Sequence, residues 1–255
     1  MSTFSQATAG SRTAEHPLAA VADLAADQPI CRGRRRRTRL VRSLIVGCLV
    51  AAAAAIGTVA VDTEPATATG GRLETNAMAP IVTTSAREAL QAYDEWVATK
   101  SSSAWRSYVW NRTQAAQFAA AELGYPQAEM VAAWARTPVD HQRAVLAALT
   151  QIGVPYRTNT SQEGVGFDCS GLTTYAWARA GVSLVRQSSS QIQNAAPLDR
   201  STAKPGDLVQ YPGHVMMYLG VGDAIVHAVQ RGRTVELDLI SERRANSVRF
   251  GDPVG

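Results

Sequence analysis

The chain has 255 residues, of which 46% are hydrophobic and 18% are charged, and its formal net charge is +4 at pH 7. This apolar content excludes a chain that is disordered throughout. Residues 1–42 carry eight arginines against three acidic residues, a net charge of +5, whereas the rest of the chain sums to −1. Because the basic excess lies in the N-terminal tail, a nucleic-acid-binding domain is disfavoured and no nucleic acid is expected as a partner.

An apolar segment follows the arginine-rich tail. Residues 1–42 have the composition of a disordered tail, and residues 43–61 contain no charged side chain. As a helix, this segment would rise about 28 Å, close to the bilayer core of about 30 Å. The arginines before it and the acidic Asp62 and Glu64 after it predict a cytoplasmic N-terminus and an exported body.

Three interpretations of residues 43–61 are possible. An uncleaved segment anchors the protein in the membrane, whereas a signal peptide cleaved after the small residues Ala66–Ala68 releases it. A buried core helix would bring the arginine-rich tail beside a folded core, which is unfavourable. The anchor and the cleaved signal both predict export of the body.

Residues 62–81 have the composition of a linker, and residues 82–136 are predicted to form a small helical module. Its apolar residues recur at helical spacing: Leu90, Tyr93, Trp96 and Val97, then Trp105, Tyr108, Val109, Phe118 and Leu123, then Met130, Val131 and Trp134. Gly124–Pro126 would end the second helix. Aromatic residues at this spacing are typical of core packing, and an aromatic glycan-binding surface is the alternative.

Residues 137–255 are predicted to form an α+β domain. Pro138 and Asp140 favour the start of a helix that ends near Gly153, and a second helix is predicted over residues 169–180. Short strands follow over residues 207–211, 214–219, 224–228 and 234–237, with a hairpin turn at residues 220–223. Helices followed by an antiparallel sheet are typical of this class.

Cys169 is the one cysteine of the predicted exported body, since Cys31 lies in the tail and Cys48 in the apolar segment. It therefore has no disulfide partner there. It follows Asp168, a candidate N-cap, and a helix N-terminus stabilises the thiolate, the nucleophilic form of cysteine. A buried inert thiol and a link to another chain are the alternatives.

Two histidines in predicted strands follow this cysteine. His214 opens one strand and His227 lies in the next, whereas His16 is in the tail and His141 is near the start of a helix. A cysteine, a histidine and a third polar group that orients the imidazole are what nucleophilic catalysis requires. Structural histidines are the alternative. Zinc is disfavoured because no further ligand completes the site, and no metal or cofactor is expected.

Six blocks of residues resemble, in the same order, the NlpC/P60 family of papain-like cell-wall cysteine peptidases. They are Gly153–Tyr156, Phe167–Leu172, Arg186 with Ser188 and Gln191, Pro205–Val209, Gly213–Val215 with Tyr218–Gly220, and Ile225–Ala228. The resemblance covers the chain from about residue 138 onward, under half of its length. It implies a papain-like domain in which N-terminal helices pack on an antiparallel sheet.

The resemblance also implies roles for individual residues. Cys169 would be the nucleophile, His214 the base, and His227 the residue that orients His214. Residues that would line or support the substrate cleft are Tyr156, Asp168, Ser170 and Arg186. Residues 157–159 are Arg-Thr-Asn where many relatives have Trp-Gly-Gly, so the chain departs from the family pattern beside the predicted cleft.

The activity that the resemblance implies is hydrolysis of peptidoglycan stem peptides through an acyl-enzyme on Cys169. The expected enzyme is a D,L-endopeptidase that cleaves between γ-D-glutamate and meso-diaminopimelate. An amidase or acyltransferase on the same fold is one alternative, and a non-catalytic wall-binding or scaffold protein is another. The helical module could also cover the cleft as a regulator.

Overall fold

The computed structural model describes residues 76–255. The predicted tail, the apolar segment 43–61 and most of the linker 62–81 lie outside the described residues. Within residues 76–255, no helix is both long enough and apolar enough to cross a bilayer. The first described helix begins at Ala79, three residues before the predicted start of the helical module.

Six helices and eight strands make up the described part of the chain. The helices are Ala79–Thr99 (α1), Ser102–Leu123 (α2), Gln127–Arg136 (α3), Val139–Leu149 (α4), Cys169–Arg179 (α5) and Ser188–Asn194 (α6). The strands are Ser161–Gln162 (β1), Gly166–Phe167 (β2), Ala196–Leu198 (β3), Leu208–Tyr211 (β4), His214–Tyr218 (β5), Ala224–Ala228 (β6), Val235–Leu239 (β7) and Arg249–Asp252 (β8).

The main sheet is antiparallel and has the strand order β3-β8-β4-β5-β6-β7, while β1 and β2 form a separate short ribbon. The chain therefore has the α+β fold of helices and antiparallel strands that the sequence predicts. Strands β4 to β7 correspond to the four predicted strands. The C-terminal strand β8, which the sequence analysis does not predict, lies between β3 and β4 and completes the sheet.

The two faces of the sheet have different partners. Val215, Met217 and Val226 belong to the core shared with the helices, whereas Met216 and Ile225 belong to a smaller cluster on the other face. Because side chains alternate along a strand, His214 shares the face of Met216, and His227 shares the face of Ile225. Both histidines therefore lie on the face away from the helical core.

Helices α1 to α3 share one hydrophobic core with α4, α5 and the sheet. Tyr108 and Trp134 are buried in this core, as the packing interpretation of the aromatic residues predicts. Trp134 also donates its indole N–H to the carbonyl of Leu219 at 2.9 Å. Contacts of this kind attach the N-terminal helices to the sheet, and the division of the chain at residue 137 into separate domains stays a prediction.

Candidate active site

Helix α5 begins at Cys169 because Asp168 caps it. The Asp168 carboxylate accepts a hydrogen bond from the backbone N–H of Gly171 at 2.7 Å, as an N-cap does. A Cβ atom at position 171 would lie 2.1 Å from the carbonyl oxygen of Thr160, so only glycine fits. Cys169 is thus held in the first helical turn, where the helix dipole favours a negative charge, with 8% of its surface exposed.

Arg186 also holds this helix start in place. Its guanidinium donates to Asp168 Oδ2 and to Ser170 Oγ, both at 2.8 Å, and to the carbonyl of Thr160 at 3.3 Å. Burial alone would raise the pKa of Asp168, but the hydrogen bonds from Arg186 and Gly171 outweigh burial and lower it. Asp168, Ser170 and Arg186 therefore support the turn that carries the cysteine, and their contact with substrate stays a prediction.

The two predicted histidines are in direct contact. Nε2 of His214 lies 2.8 Å from Nδ1 of His227, and the two rings meet nearly edge to face at 80°. His214 is 8% exposed and His227 7% exposed, so water competes little for this hydrogen bond. Because side chains alternate along β6, His227 lies on the same face of the sheet as His214 and contacts it.

The imidazole of His214 is neutral at physiological pH. Burial, followed by the neighbouring His227, lowers the pKa of His214 to about 3 from an ordinary value near 6.5. A neutral imidazole has a lone pair that can accept a proton, and the thiolate that forms beside it would stabilise the resulting imidazolium.

A carboxylate extends the histidine pair. Oδ2 of Asp238, in β7, lies 3.3 Å from Nε2 of His227. Burial alone would raise the pKa of Asp238, but hydrogen bonds from His227 and from the backbone N–H of Leu239 lower it. No sequence pattern marks Asp238, because the predicted strand ends at Leu237 and the aspartate that follows belongs to no motif.

Two tyrosines lie near the cysteine, and one of them, Tyr211, also contacts a histidine. Tyr211 lies opposite His214 in the β4–β5 pairing, and their ring centroids are 5.2 Å apart. Burial raises the pKa of Tyr211, Arg244 lowers it, and the electrostatic influence of Cys169 raises it. Burial and then Cys169 also raise the pKa of Tyr156, so both tyrosines lie within electrostatic reach of the thiol. Cys169 and the histidine pair therefore border the same site.

Helix α5, which carries Cys169 in its first turn, packs against β5 and β6. No hydrogen bond joins Cys169 to His214 in the part of the chain that the structure describes, and such catalytic contacts often tighten only when substrate binds. The geometry thus combines a thiol at a helix N-terminus, a neutral imidazole and a second imidazole in contact with it. These groups can perform nucleophilic acyl transfer.

A second polar cluster surrounds His141, which is 1% exposed. Its Nδ1 lies 2.9 Å from Asp140, and its Nε2 lies 3.1 Å from Asp252 and 3.3 Å from Asp207. Ligand atoms of His141, Asp207 and Asp252 lie within 4.8 Å of one another, which would suit a metal ion. The ammonium of Lys204 already bonds to both Asp207 and Asp252, so a cation of the protein itself occupies this position.

The family model that matches the chain is that of the NlpC/P60 family, over residues 153–250. A probable endopeptidase of Corynebacterium glutamicum (strain R) is 33% identical over 207 residues, which are 77% of this chain and 88% of that protein. The murein DD-endopeptidase MepH of Escherichia coli K12 is 33% identical over 37% of this chain and 38% of that protein.

A probable endopeptidase of Mycobacterium tuberculosis is 36% identical over 39% of this chain, and the matched part spans only 27% of the length of that relative. Among solved structures, an NlpC/P60 family protein from Bacillus cereus is similar over 45% of this chain and 40% of that one. Its sequence identity is 24% and its TM-score is 0.42.

Proposed function

The chain belongs to the NlpC/P60 family, and from this premise we propose that it is an exported cysteine endopeptidase that hydrolyses peptidoglycan stem peptides. The observation that carries the proposal is the arrangement of the site. Cys169 lies in the capped first turn of α5, and His214 is neutral and in contact with His227. The names of the relatives, probable endopeptidases and a murein DD-endopeptidase, support the class of reaction and substrate.

In the proposed reaction, His214 accepts the thiol proton as Sγ of Cys169 attacks the carbonyl carbon of the scissile amide. The carbonyl π electrons move to oxygen and form an oxyanion. Collapse of this intermediate breaks the C–N bond, and His214 returns the proton to the leaving amine. Water then attacks the thioester, gives a proton to His214, and releases the carboxylic acid and the free thiol.

The first turn of α5 can stabilise the oxyanion. The N–H groups of the first turn of a helix have no acceptor within the helix. Asp168 accepts the N–H of Gly171, so in the proposed reaction the backbone N–H groups of Cys169 and Ser170 would be the donors to the oxyanion. Stabilisation by such preorganised donors contributes strongly to acyl transfer.

The finer proposal is a D,L-endopeptidase that cleaves between γ-D-glutamate and meso-diaminopimelate. The family resemblance supports this bond, and the E. coli relative is named for DD bonds instead. The products differ in mass, because D,L cleavage separates the stem within its peptide and DD cleavage separates two cross-linked stems. Digestion of defined muropeptides by the full chain therefore identifies the bond.

Replacement of the nucleophile tests the mechanism. Cys169→Ala should reduce muropeptide cleavage by at least about a thousandfold, because the acyl-enzyme cannot form. Mass spectrometry of the digest measures this, circular dichroism checks the fold, and Asp199→Asn, an exposed substitution, is the matched control. Cleavage by Cys169→Ala at the wild-type rate would refute the mechanism, and inactivity of the wild type itself would favour the scaffold alternative. Product transferred to an added amine would identify an acyltransferase.

We also propose that residues 43–61 export the body, either as a membrane anchor or as a cleaved signal. The charge asymmetry around this segment supports that orientation. A C-terminally tagged chain detected at full length in the membrane fraction indicates an anchor, and a shorter chain in the medium indicates cleavage. Full-length chain in the cytosol would contradict export.

A further inference from the structure

We propose that Asp238 is a positioning residue which, through His227, determines the ring nitrogen at which His214 accepts the proton of Cys169. This inference rests on the proposed function and adds a fourth member to the cysteine and the two histidines. Asp238 acts on the arrangement of protons in the histidine pair and does not itself touch the substrate.

The contacts form a continuous chain. Oδ2 of Asp238 lies 3.3 Å from Nε2 of His227, and Nδ1 of His227 lies 2.8 Å from Nε2 of His214. His227 therefore contacts Asp238 through Nε2 and His214 through Nδ1. Since Nε2 of His214 is taken by His227, Nδ1 is the nitrogen of His214 left for the thiol.

Hydrogen-bond chemistry fixes the protons along this chain. An ionised carboxylate can only accept, so Nε2 of His227 must carry a hydrogen. In the neutral form of His227, which has one N–H, Nδ1 is then the acceptor for an N–H on Nε2 of His214. Nδ1 of His214 is left with its lone pair, which is the form that can take the thiol proton.

A second carboxylate near His227 is already occupied. Glu236 lies directly opposite His227 in the β6–β7 pairing. Its carboxylate accepts from the backbone N–H of Thr234 at 3.2 Å and from the Thr234 hydroxyl at 3.0 Å, and it forms an ion pair with Arg233. Glu236 therefore leaves Nε2 of His227 to Asp238.

A further contact makes the effect of Asp238→Asn predictable. Oδ1 of Asp238 accepts the backbone N–H of Leu239 at 2.8 Å. In Asp238→Asn, the amide oxygen is needed at this position, so the NH₂ group occupies the position of Oδ2 and donates to Nε2 of His227. The hydrogen of His227 then moves to Nδ1, which donates to Nε2 of His214. His214 is left protonated at Nδ1 and cannot accept the thiol proton.

The order of the variants separates this role from a structural one. Asp238→Ala removes the acceptor that holds the hydrogen of His227 on Nε2. The nearly isosteric Asp238→Asn instead moves that hydrogen to Nδ1. We therefore expect Asp238→Asn to lower kcat by roughly a hundredfold and Asp238→Ala by roughly tenfold, the scale of effects on ligand-orienting partners. KM should remain within about twofold of the wild type because substrate contacts are retained. A merely structural Asp238 predicts the opposite order, since Asn preserves shape and Ala does not.

The experiment uses the full chain, with Asp199→Asn as the matched control. Kinetics on defined muropeptides give kcat and KM for Asp238→Asn, Asp238→Ala and the control. In parallel, ¹⁵N NMR of the imidazoles at pH 8 reports the tautomers in the Cys169→Ala background, with and without Asp238→Asn. We expect both histidines to carry hydrogen on Nε2 with Asp238 and on Nδ1 with Asn.

The outcomes are distinguishable. Unchanged tautomers in Asp238→Asn, or a kcat equal to or above that of Asp238→Ala, would overturn the role of Asp238 even if the wild type is an active peptidase. Reversed tautomers together with the expected order of kcat support it. If the wild type cleaves no muropeptide, the proposed function fails, and the positioning role, which requires that reaction, is overturned with it.

Discussion

Two buried histidine sites in this protein differ in the charge that their surroundings favour. His214 contacts another imidazole, and burial together with His227 lowers its pKa to about 3. Burial alone would also lower the pKa of His141, but the hydrogen bonds that Asp207 and Asp140 accept from its ring raise it overall. Burial at both sites thus goes with a disfavoured charged form of His214 and a favoured charged form of His141, because the partners differ.

The difference separates a reactive site from a structural one. The His214 site borders Cys169 and keeps a lone pair available for proton transfer. The His141 site joins α4, the residues just before β4 and the C-terminal strand β8, since Asp207 and Asp252 both bond to His141 and to Lys204. We therefore expect substitution of His214 to affect mainly catalysis and substitution of His141 to affect mainly stability.

The largest expected effect follows replacement of His214. His214→Gln should reduce muropeptide cleavage to the background of Cys169→Ala, because no base remains to accept the thiol proton. Digests analysed by mass spectrometry measure the loss. Substantial activity in this variant would break the comparison by showing that another group is the base.

The same variant should change the pH dependence of stability. A histidine whose folded pKa lies below its unfolded value of about 6.5 costs stability as the pH falls from about 6.5 towards 3, because the unfolded state binds the proton more readily. In urea unfolding experiments, the free energy of unfolding of His214→Gln should rise relative to that of the wild type as the pH is lowered from 8 to 5. A relative loss on acidification would contradict the neutral state of His214.

A smaller effect, on stability alone, is expected when His141 is replaced. His141→Gln should lower the free energy of unfolding by about 3 kcal/mol, the cost of leaving a buried carboxylate partly uncompensated. Because the folded pKa of His141 is raised, its stabilisation is fully present below pH 6.5 and is lost as the pH rises through the folded value. The loss of unfolding free energy in His141→Gln should therefore be larger at pH 6 than at pH 9.

Urea unfolding at the two pH values checks this prediction, and muropeptide cleavage at permissive temperature should stay near the wild-type rate. A deficit that grows with pH would show that His141 is neutral in the folded protein. Loss of activity without loss of stability would mean that the two sites are not separate in function.

The sequence predicted the parts of the fold that local patterns encode. Asp168 was predicted as an N-cap, and it accepts from Gly171 as expected. Helix α6 was missed because Ser188–Asn194 contains one apolar residue, Ile192, and no helical period. Strand β8 was missed because Arg249–Asp252 has a single large apolar residue, Phe250, and it is stabilised by pairing with distant strands.

The candidate site was predicted unevenly for the same reason. Cys169, His214 and His227 were identified from short motifs, whereas Asp238 was not, since its contact with His227 depends on the β6–β7 register. The His141 cluster was also missed, because its partner Asp252 lies 111 residues away in the chain.

The sequence alone determined the order of the chemical groups, the α+β class and the helix start that presents the cysteine, because these depend on neighbouring residues and on periodic patterns. The tertiary structure decided which carboxylate meets which imidazole, and thereby at which histidine the charged form is disfavoured and at which it is favoured. Hydrogen bonding and burial act between side chains that folding brings together, and no local pattern specifies those pairs.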